Sequence, residues 1–238
     1  KNEEVLMPSL NYIASANATL YCGAIPHFVE INKETLGIDS IKLENYLSHN
    51  LVKKGKFFKN KKTNRIVRTL ICLHVFGHPA QIDKIKKICK KFNIELIEDA
   101  AESLGSFYKK QHVGTFGSFG ILSFNGNKIV TTGSGGAILT NSKKAAKKLT
   151  HLSSIAKIPH KFKYTYDMLG YNYKMSNMNA ALGLGQIENL KKILKLKRNL
   201  FFKYKKAFNH INEVNLFEEP TDSKSNYWLQ AIILNKNN

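Results

Sequence analysis

"FGILSFNGNKIVTTGSGGAIL", Phe119 to Leu139, holds a lysine where this chain rarely puts one. Two apolar runs rich in Ile, Leu and Phe enclose a glycine-rich turn, so the stretch reads as strand, loop, strand. Lys128 sits in that loop. Of 37 basic residues in the 238-residue chain, 34 are lysines, nearly all in polar, charged surroundings. Lys128 instead lies between an apolar run and the cluster "TTGSGG", with Ser, Asn and Thr as neighbours. A solvated helix face does not explain it.

Outward from this stretch, strand and helix signals alternate. "IELIED" is a strand ending at Asp99, and "RIVRTLICLHV" is a β-branched, apolar run expected to be a buried strand. "HFVEI", His27 to Ile31, reads as a short strand. Asp39 or Ser40 caps a helix carrying Ile41, Leu43, Tyr46 and Leu47. "DKIKKICKKF" places Ile85, Ile88, Cys89 and Phe92 at i, i+3, i+4 and i+7, with lysines on the other face: an amphipathic helix. From Ser176, a second plausible cap, the chain is helical to Phe208 as two helices or one long one. "NYWLQAIILNKNN" ends in strand character. The basic run Lys53 to Arg65 is expected to be an exposed loop. Alternation of this kind implies an α/β fold, a mainly parallel sheet flanked by helices. Residues 1–189 form its large domain, and 190–238 form a connecting helix and the beginning of a small domain. Both ends read as cut from a longer protein.

The formal charge of +20 raises the question of nucleic acid. The excess is almost all lysine and is spread along the chain, whereas base and phosphate recognition leans on arginine. Cys22, Cys72 and Cys89 form no CxxC pair and stand in apolar runs, which fits buried thiols in a reducing cytoplasm rather than a zinc site. No apolar run reaches membrane-spanning length.

In an open α/β sheet, ligands gather outside the carboxyl ends of the strands. His74, Asp99 and Lys128 all stand at or just past such ends. An acid and a lysine there can be no more than an ion pair. Their neighbours favour more: "DAAES" leaves room beside Asp99 for a planar ring, Ser123 offers a hydroxyl, and "TTGSGG" offers free backbone N–H groups for a phosphate. This is what pyridoxal 5′-phosphate requires: an amine for its aldehyde, a carboxylate for its ring nitrogen, and donors for its phosphate. Burial and a nearby cationic charge are expected to lower the Lys128 pKa. His74 is read as structural.

The segments "EEVLMPSLNYIASANATLYCGAIPHFVEI", "HVFGHPAQID", "IEDAAESLGSFYKKQHVGTFG", "SFNGNK" and "GYNYKMSNMNAALGLGQIENL" together resemble the DegT/DnrJ/StrS-type sugar aminotransferases, a branch of the fold-type I pyridoxal-phosphate enzymes. The resemblance covers nearly the whole chain. It implies that Lys128 is the Schiff-base lysine and that Asp99 holds the ring nitrogen. By the same matching, Tyr12 stacks on the ring and Ser123 binds the phosphate. Asn172 is implied to reach the phosphate of a partner subunit, which makes the protein a homodimer with shared active sites. Tyr12 as a core aromatic and Asn172 as a turn residue remain the alternatives. Glu102 stands where the family usually has Gln or His, so as a donor to the cofactor's phenolic oxygen it must be protonated. Ser134 replaces the acid of the usual GEGG. The family's upstream Gly-Thr phosphate segment does not occur in these residues.

The resemblance implies a cytoplasmic enzyme that passes an amino group from glutamate, by way of pyridoxamine phosphate, to a UDP- or dTDP-linked 4-keto-6-deoxy sugar for surface glycan or lipopolysaccharide synthesis. No nucleic-acid or membrane partner and no metal are expected. The rivals are a pyridoxal-phosphate sugar dehydratase on the same fold and a catalytically silent regulatory relative.

Overall fold

A computed structural model describes residues 1–234. In chain order the first half contains β1 (Glu4–Pro8), α1 (Ile13–Tyr21), β2 (Ile25–Val29), α2 (Ser40–Asn50), β3 (Leu51–Lys54), β4 (Phe57–Asn60), β5 (Ile66–Leu73), α3 (Ile82–Lys91) and β6 (Glu95–Asp99). Next come the short strands β7 (Phe107–Tyr108) and β8 (Gln111–His112), then β9 (Phe119–Ser123), β10 (Gly136–Leu139) and α4 (Lys143–Ser153). The remainder contains β11 (Lys157–Ile158), β12 (Thr165–Tyr166), α5 (Asn177–Glu188), α6 (Leu190–Phe208), β13 (Val214–Leu216), β14 (Ser223–Lys224) and β15 (Ile232–Leu234).

Six strands run in the order β10-β9-β6-β5-β1-β2. The pairs β2–β1, β1–β5, β5–β6 and β6–β9 are parallel, and β10 closes the edge antiparallel to β9. Chain connections leave β1 towards β2 on one side and β5 on the other, a reversal that opens a crevice at the carboxyl edge. The mainly parallel α/β sheet with helices is as expected. Its core is aliphatic: Leu6, Leu70, Cys72, Leu96 and Leu122 from the strands meet Leu43, Leu47, Ile82, Ile85 and Ile88 from α2 and α3. The heptad-like face of α3 is the buried one, with Ile85, Ile88, Cys89 and Phe92 all inside.

Local signals set the helix ends. Asp39, not Ser40, caps α2, its Oδ1 accepting from the N–H groups of Ile41 and Lys42. Ser176 caps α5 by accepting from Asn179 N–H. The long helical run is two helices that meet at Asn189.

Four expectations are corrected. The run 53–65 is a loop only in part: β3 and β4 form a hairpin about Gly55, β4 joins the sheet beside β5, and 61–65 are the exposed turn between β4 and β5. Phe58 packs edge-on against Phe92, and buried Asn60 donates to Glu4 Oε2, so these two residues of the lysine-rich run face inward. The strand placed at 27–31 occupies 25–29 and includes Pro26, which an edge strand tolerates. Cys22 is exposed at the end of α1, whereas Cys72 and Cys89 are buried; all three are free. In the terminal run the strand begins only at Ile232, as β15, and 235–238 lie outside the described residues.

One buried carboxylate ties the sheet to its loops. Glu98 on β6 is fully buried; Oε2 accepts from His74 Nε2 at 3.0 Å and from Gly114 N–H at 2.7 Å. Oε1 accepts from the N–H groups of Phe116 (2.6 Å) and Gly117 (2.7 Å). Because His74 Nδ1 accepts from Ala80 N–H, its Nε2 carries the proton given to Glu98. Burial alone would raise the Glu98 pKa, but the hydrogen bonds from His74, Gly117 and Gly114 outweigh it and hold it below the ordinary value.

Glu98→Ala leaves three backbone N–H groups and an imidazole without an acceptor, and is expected to lower unfolding free energy by about 3–5 kcal/mol in urea titrations. With its folded-state pKa depressed, Glu98 stabilises the fold above the unfolded carboxylate pKa. That contribution is expected to disappear as pH falls through the lower folded value, giving acid unfolding that is less steep in the variant.

Candidate active site

A cavity of about 610 Å³ opens at the carboxyl edge, lined by Tyr12, Ser15, Asp99, Glu102, Ser123, Lys128, Gly135, Gly136 and Trp228 among others. The fold brings these together because each follows a strand end: Tyr12 and Ser15 follow β1, Asp99 ends β6, Ser123 ends β9, and Lys128 lies in the loop to β10. Of the six residues proposed from sequence, five line this cavity. Asn172 does not. It is exposed on the 154–172 surface, where its backbone bridges to Ser154. His74 does not reach the cavity either: it is sealed beneath the sheet edge between Glu98 and Ala80.

Asp99 is fixed by two donors. Ser15 Oγ–H donates to Oδ2 at 2.7 Å and Ala101 N–H to Oδ1 at 3.1 Å. A carboxylate has about four acceptor positions, so two remain. Ser15 is a site residue that the sequence reading missed; its signal is the register of α1, which turns Ser15 rather than Ile13 or Tyr12 towards the sheet. Tyr12 is 68% exposed, which removes the core alternative and leaves the ring free at the mouth. Ser123 Oγ accepts from Asn125 N–H at 3.4 Å, a long bond that shapes the turn.

Lys128 Nζ lies 3.9 Å from Glu102 Oε1 on one side and 3.8 Å from the centre of the Trp228 ring on the other. Burial lowers the Lys128 pKa, although Glu102 and then Asp99 pull it upward. The cationic neighbour expected there is thus replaced by two carboxylates, and desolvation is the cause of the shift. Glu102 moves the opposite way: burial raises its pKa despite the Phe76 N–H it accepts at 2.6 Å and despite Lys128. Both partners shift towards neutrality, so burial outweighs their attraction at this separation.

Trp228 was the other residue missed. It arrives from 101 positions away in sequence, donating Nε1–H to the Asn127 carbonyl at 2.7 Å. Being the only tryptophan is its sole sequence signal. Its carrier is a tight turn in which Asn226 donates to the carbonyls of Glu102 and Leu104 and accepts from Trp228 N–H. Gly77 makes room for that turn: its φ is +92°, and a Cβ there would stand 1.8 Å from Asn226 Oδ1.

Among the described residues no group of three His, Cys, Asp or Glu is placed to hold a metal, and no helix is long and apolar enough to cross a membrane. The amine of the cavity suits a carbonyl group, and its carboxylates suit a hydrogen-bond donor or cation on the same molecule.

Glu102→Gln removes a negative charge beside Lys128 and is expected to lower its pKa further, by roughly one pH unit. The pH dependence of Lys128 modification by an amine-reactive reagent, read by peptide mass spectrometry, measures it.

Comparison with known proteins gives the same frame. The model of the DegT/DnrJ/EryC1/StrS aminotransferase family matches residues 1–238. The chain is 36% identical over 233 residues to a GDP-perosamine synthase of Escherichia coli O157:H7, covering 98% of this chain and 59% of that one. It is 33% identical over 236 residues to a UDP-4-amino-4,6-dideoxy-N-acetyl-beta-L-altrosamine transaminase of Campylobacter jejuni, again covering 98% and 59%. A solved aminotransferase of the family from Brucella abortus superposes with a TM-score of 0.86 at 23% identity, over 99% of this chain and 60% of that one. The chain therefore spans less than two thirds of the length of these relatives. It belongs to the DegT/DnrJ/EryC1/StrS aminotransferase family.

Proposed function

We propose that the cavity holds pyridoxal 5′-phosphate and that the complete protein is a nucleotide-sugar aminotransferase, moving an amino group from glutamate to a keto-deoxy sugar nucleotide for surface glycan synthesis. One observation carries this reading: a half-buried amine with a lowered pKa and a carboxylate with spare acceptor positions line one cavity at the sheet's carboxyl edge. When bound, the cofactor supplies an electron sink for the amino carbon of the substrate.

The residues present fit that group. Lys128 Nζ would be the amine that holds the aldehyde, and as a free amine it would take and return a proton. Its lowered pKa leaves more of it unprotonated near neutral pH. Asp99, fixed by Ser15 and Ala101, would accept a ring N–H at its spare positions and favour its charged form. Small residues Ala14, Ala18 and Ala101 leave space for a flat ring, and Tyr12 supplies a face to stack on it. Ser123, Gly135 and Gly136 offer a hydroxyl and backbone near the phosphate end. Glu102, with its raised pKa, would share a proton with the phenolic oxygen.

The two relatives carry GDP and UDP in their names, which adds guanosine to the uridine and thymidine diphosphates expected as the sugar's carrier. A homodimer fits the surface around Asn172: Phe162, Tyr164, Leu169, Tyr173 and Met178 are all exposed there. Residues 1–189 are read as the large domain and 190–238 as the connecting helix and the beginning of a small one.

Borohydride reduction after loading with pyridoxal 5′-phosphate is expected to fix the cofactor on Lys128, read by peptide mass; label on another lysine, or none, overturns the assignment. In the complete protein Lys128→Arg is expected to lower 2-oxoglutarate formation from glutamate by ~10³-fold or more. Turnover of the keto sugar with loss of water and no amine gained would identify a dehydratase, and cofactor binding with no half-reaction a silent relative. Light scattering is expected to give a dimer mass that Leu169→Glu reduces to a monomer's.

A further inference from the structure

Trp228 makes two contacts with the Lys128 segment that packing alone does not require. Its Nε1–H donates to the carbonyl of Asn127, the residue preceding Lys128, while the face of the same ring lies 3.8 Å from the Lys128 ammonium. The ring is itself held from behind: Trp228 N–H donates to Asn226 Oδ1, and the Trp228 carbonyl accepts from Lys197 Nζ at 2.9 Å. An indole is the best π face for a cation, and the attraction grows when water is excluded. The Trp228 ring is almost fully buried, so its face is turned to the amine and not to solvent.

We propose that Trp228 is the positioning residue of Lys128: its indole face is the resting platform of the free ammonium, and its N–H fixes the backbone on which that amine swings. The platform serves whichever reaction uses Lys128, and its value as a parking place between covalent states rests on the amine's proposed role with pyridoxal 5′-phosphate. A π face favours the charged amine and leaves the neutral one indifferent. The lysine is thus held to one side as a cation and released when it loses its proton. The charged groups facing the amine are Glu102 at 3.9 Å and, farther off, Asp99, both of which also favour the cation. The indole adds to them without introducing another charge to desolvate in the cavity.

The contact can be measured without cofactor, because Trp228 is the only tryptophan and reports alone. Its fluorescence, followed against pH in the 238-residue chain, is expected to show a transition at the same midpoint as Lys128 labelling by an amine reagent. Lys128→Met is expected to erase that transition. In Trp228→Leu the labelling midpoint is expected to fall by about 0.5 to 1 pH unit, raising Lys128 reactivity near neutral pH about 3- to 10-fold; Trp228→Phe is expected to recover part of it. A transition that persists in Lys128→Met, or a midpoint unmoved or raised in Trp228→Leu, overturns the proposal. Where Trp228→Leu does not fold, the comparison of the unaltered chain with Lys128→Met decides alone. These outcomes are independent of the borohydride result: a coupled Trp228–Lys128 pair that takes no cofactor sinks the functional reading and leaves the platform standing, and the reverse result does the opposite.

Discussion

The whole carboxyl edge depends on where Glu98 puts its charge. Successive residues of a strand face opposite ways, so burying Glu98 beneath the sheet commits Asp99 to the cavity. The same carboxylate collects N–H groups from Gly114, Phe116 and Gly117, fixing the loop that feeds β9. It also fixes His74, and through it the turn at Ala80. Strand β6, the loop before β9 and the turn after β5 are therefore registered against one another by a single ionised group. A buried carboxylate is costly unless fully bonded, and this one has four donors. The acid that structures the protein and the acid that lines its cavity are neighbours in sequence with opposite fates.

Charge on the molecule as a whole says little about charge at the site. The chain carries +20, yet the charged groups that act on Lys128 are Glu102 and Asp99. The lysines occupy the exposed faces of helices such as α4, which has no buried residue, and α6. In the cavity the opposed shifts of Glu102 and Lys128 show desolvation prevailing over a loose ion pair, which keeps the amine closer to its reactive form. A tight pair at hydrogen-bond distance would hold the proton on nitrogen.

What could be read from sequence was whatever a short window encodes. The strand ending at Asp99, the helix face of Ile85, Ile88 and Cys89, the caps at Asp39 and Ser176, and the unusual setting of Lys128 all lie within a dozen residues of their own evidence. The hairpin at 51–60 escaped because its lysines read as a solvated loop, although Leu51, Phe58 and Asn60 pack inward. His74 lay at a strand end like Asp99 and reads as structural, and its partner is Glu98, 24 residues on. Ser15 and Trp228 escaped because their partners, Asp99 and Asn127, are 84 and 101 residues distant. Contacts of that span are products of topology, and no local pattern announces them.

The turn carrying Trp228 is also gripped by a helix. Lys197 on α6 holds the Trp228 carbonyl, and Arg198 beside it holds Glu219 through two parallel bonds and the Ser225 carbonyl through a third. One wall of the cavity is thus bolted to α6, while the opposite wall belongs to the sheet. The position of the indole against Lys128 is therefore set by α6 as well as by the sheet.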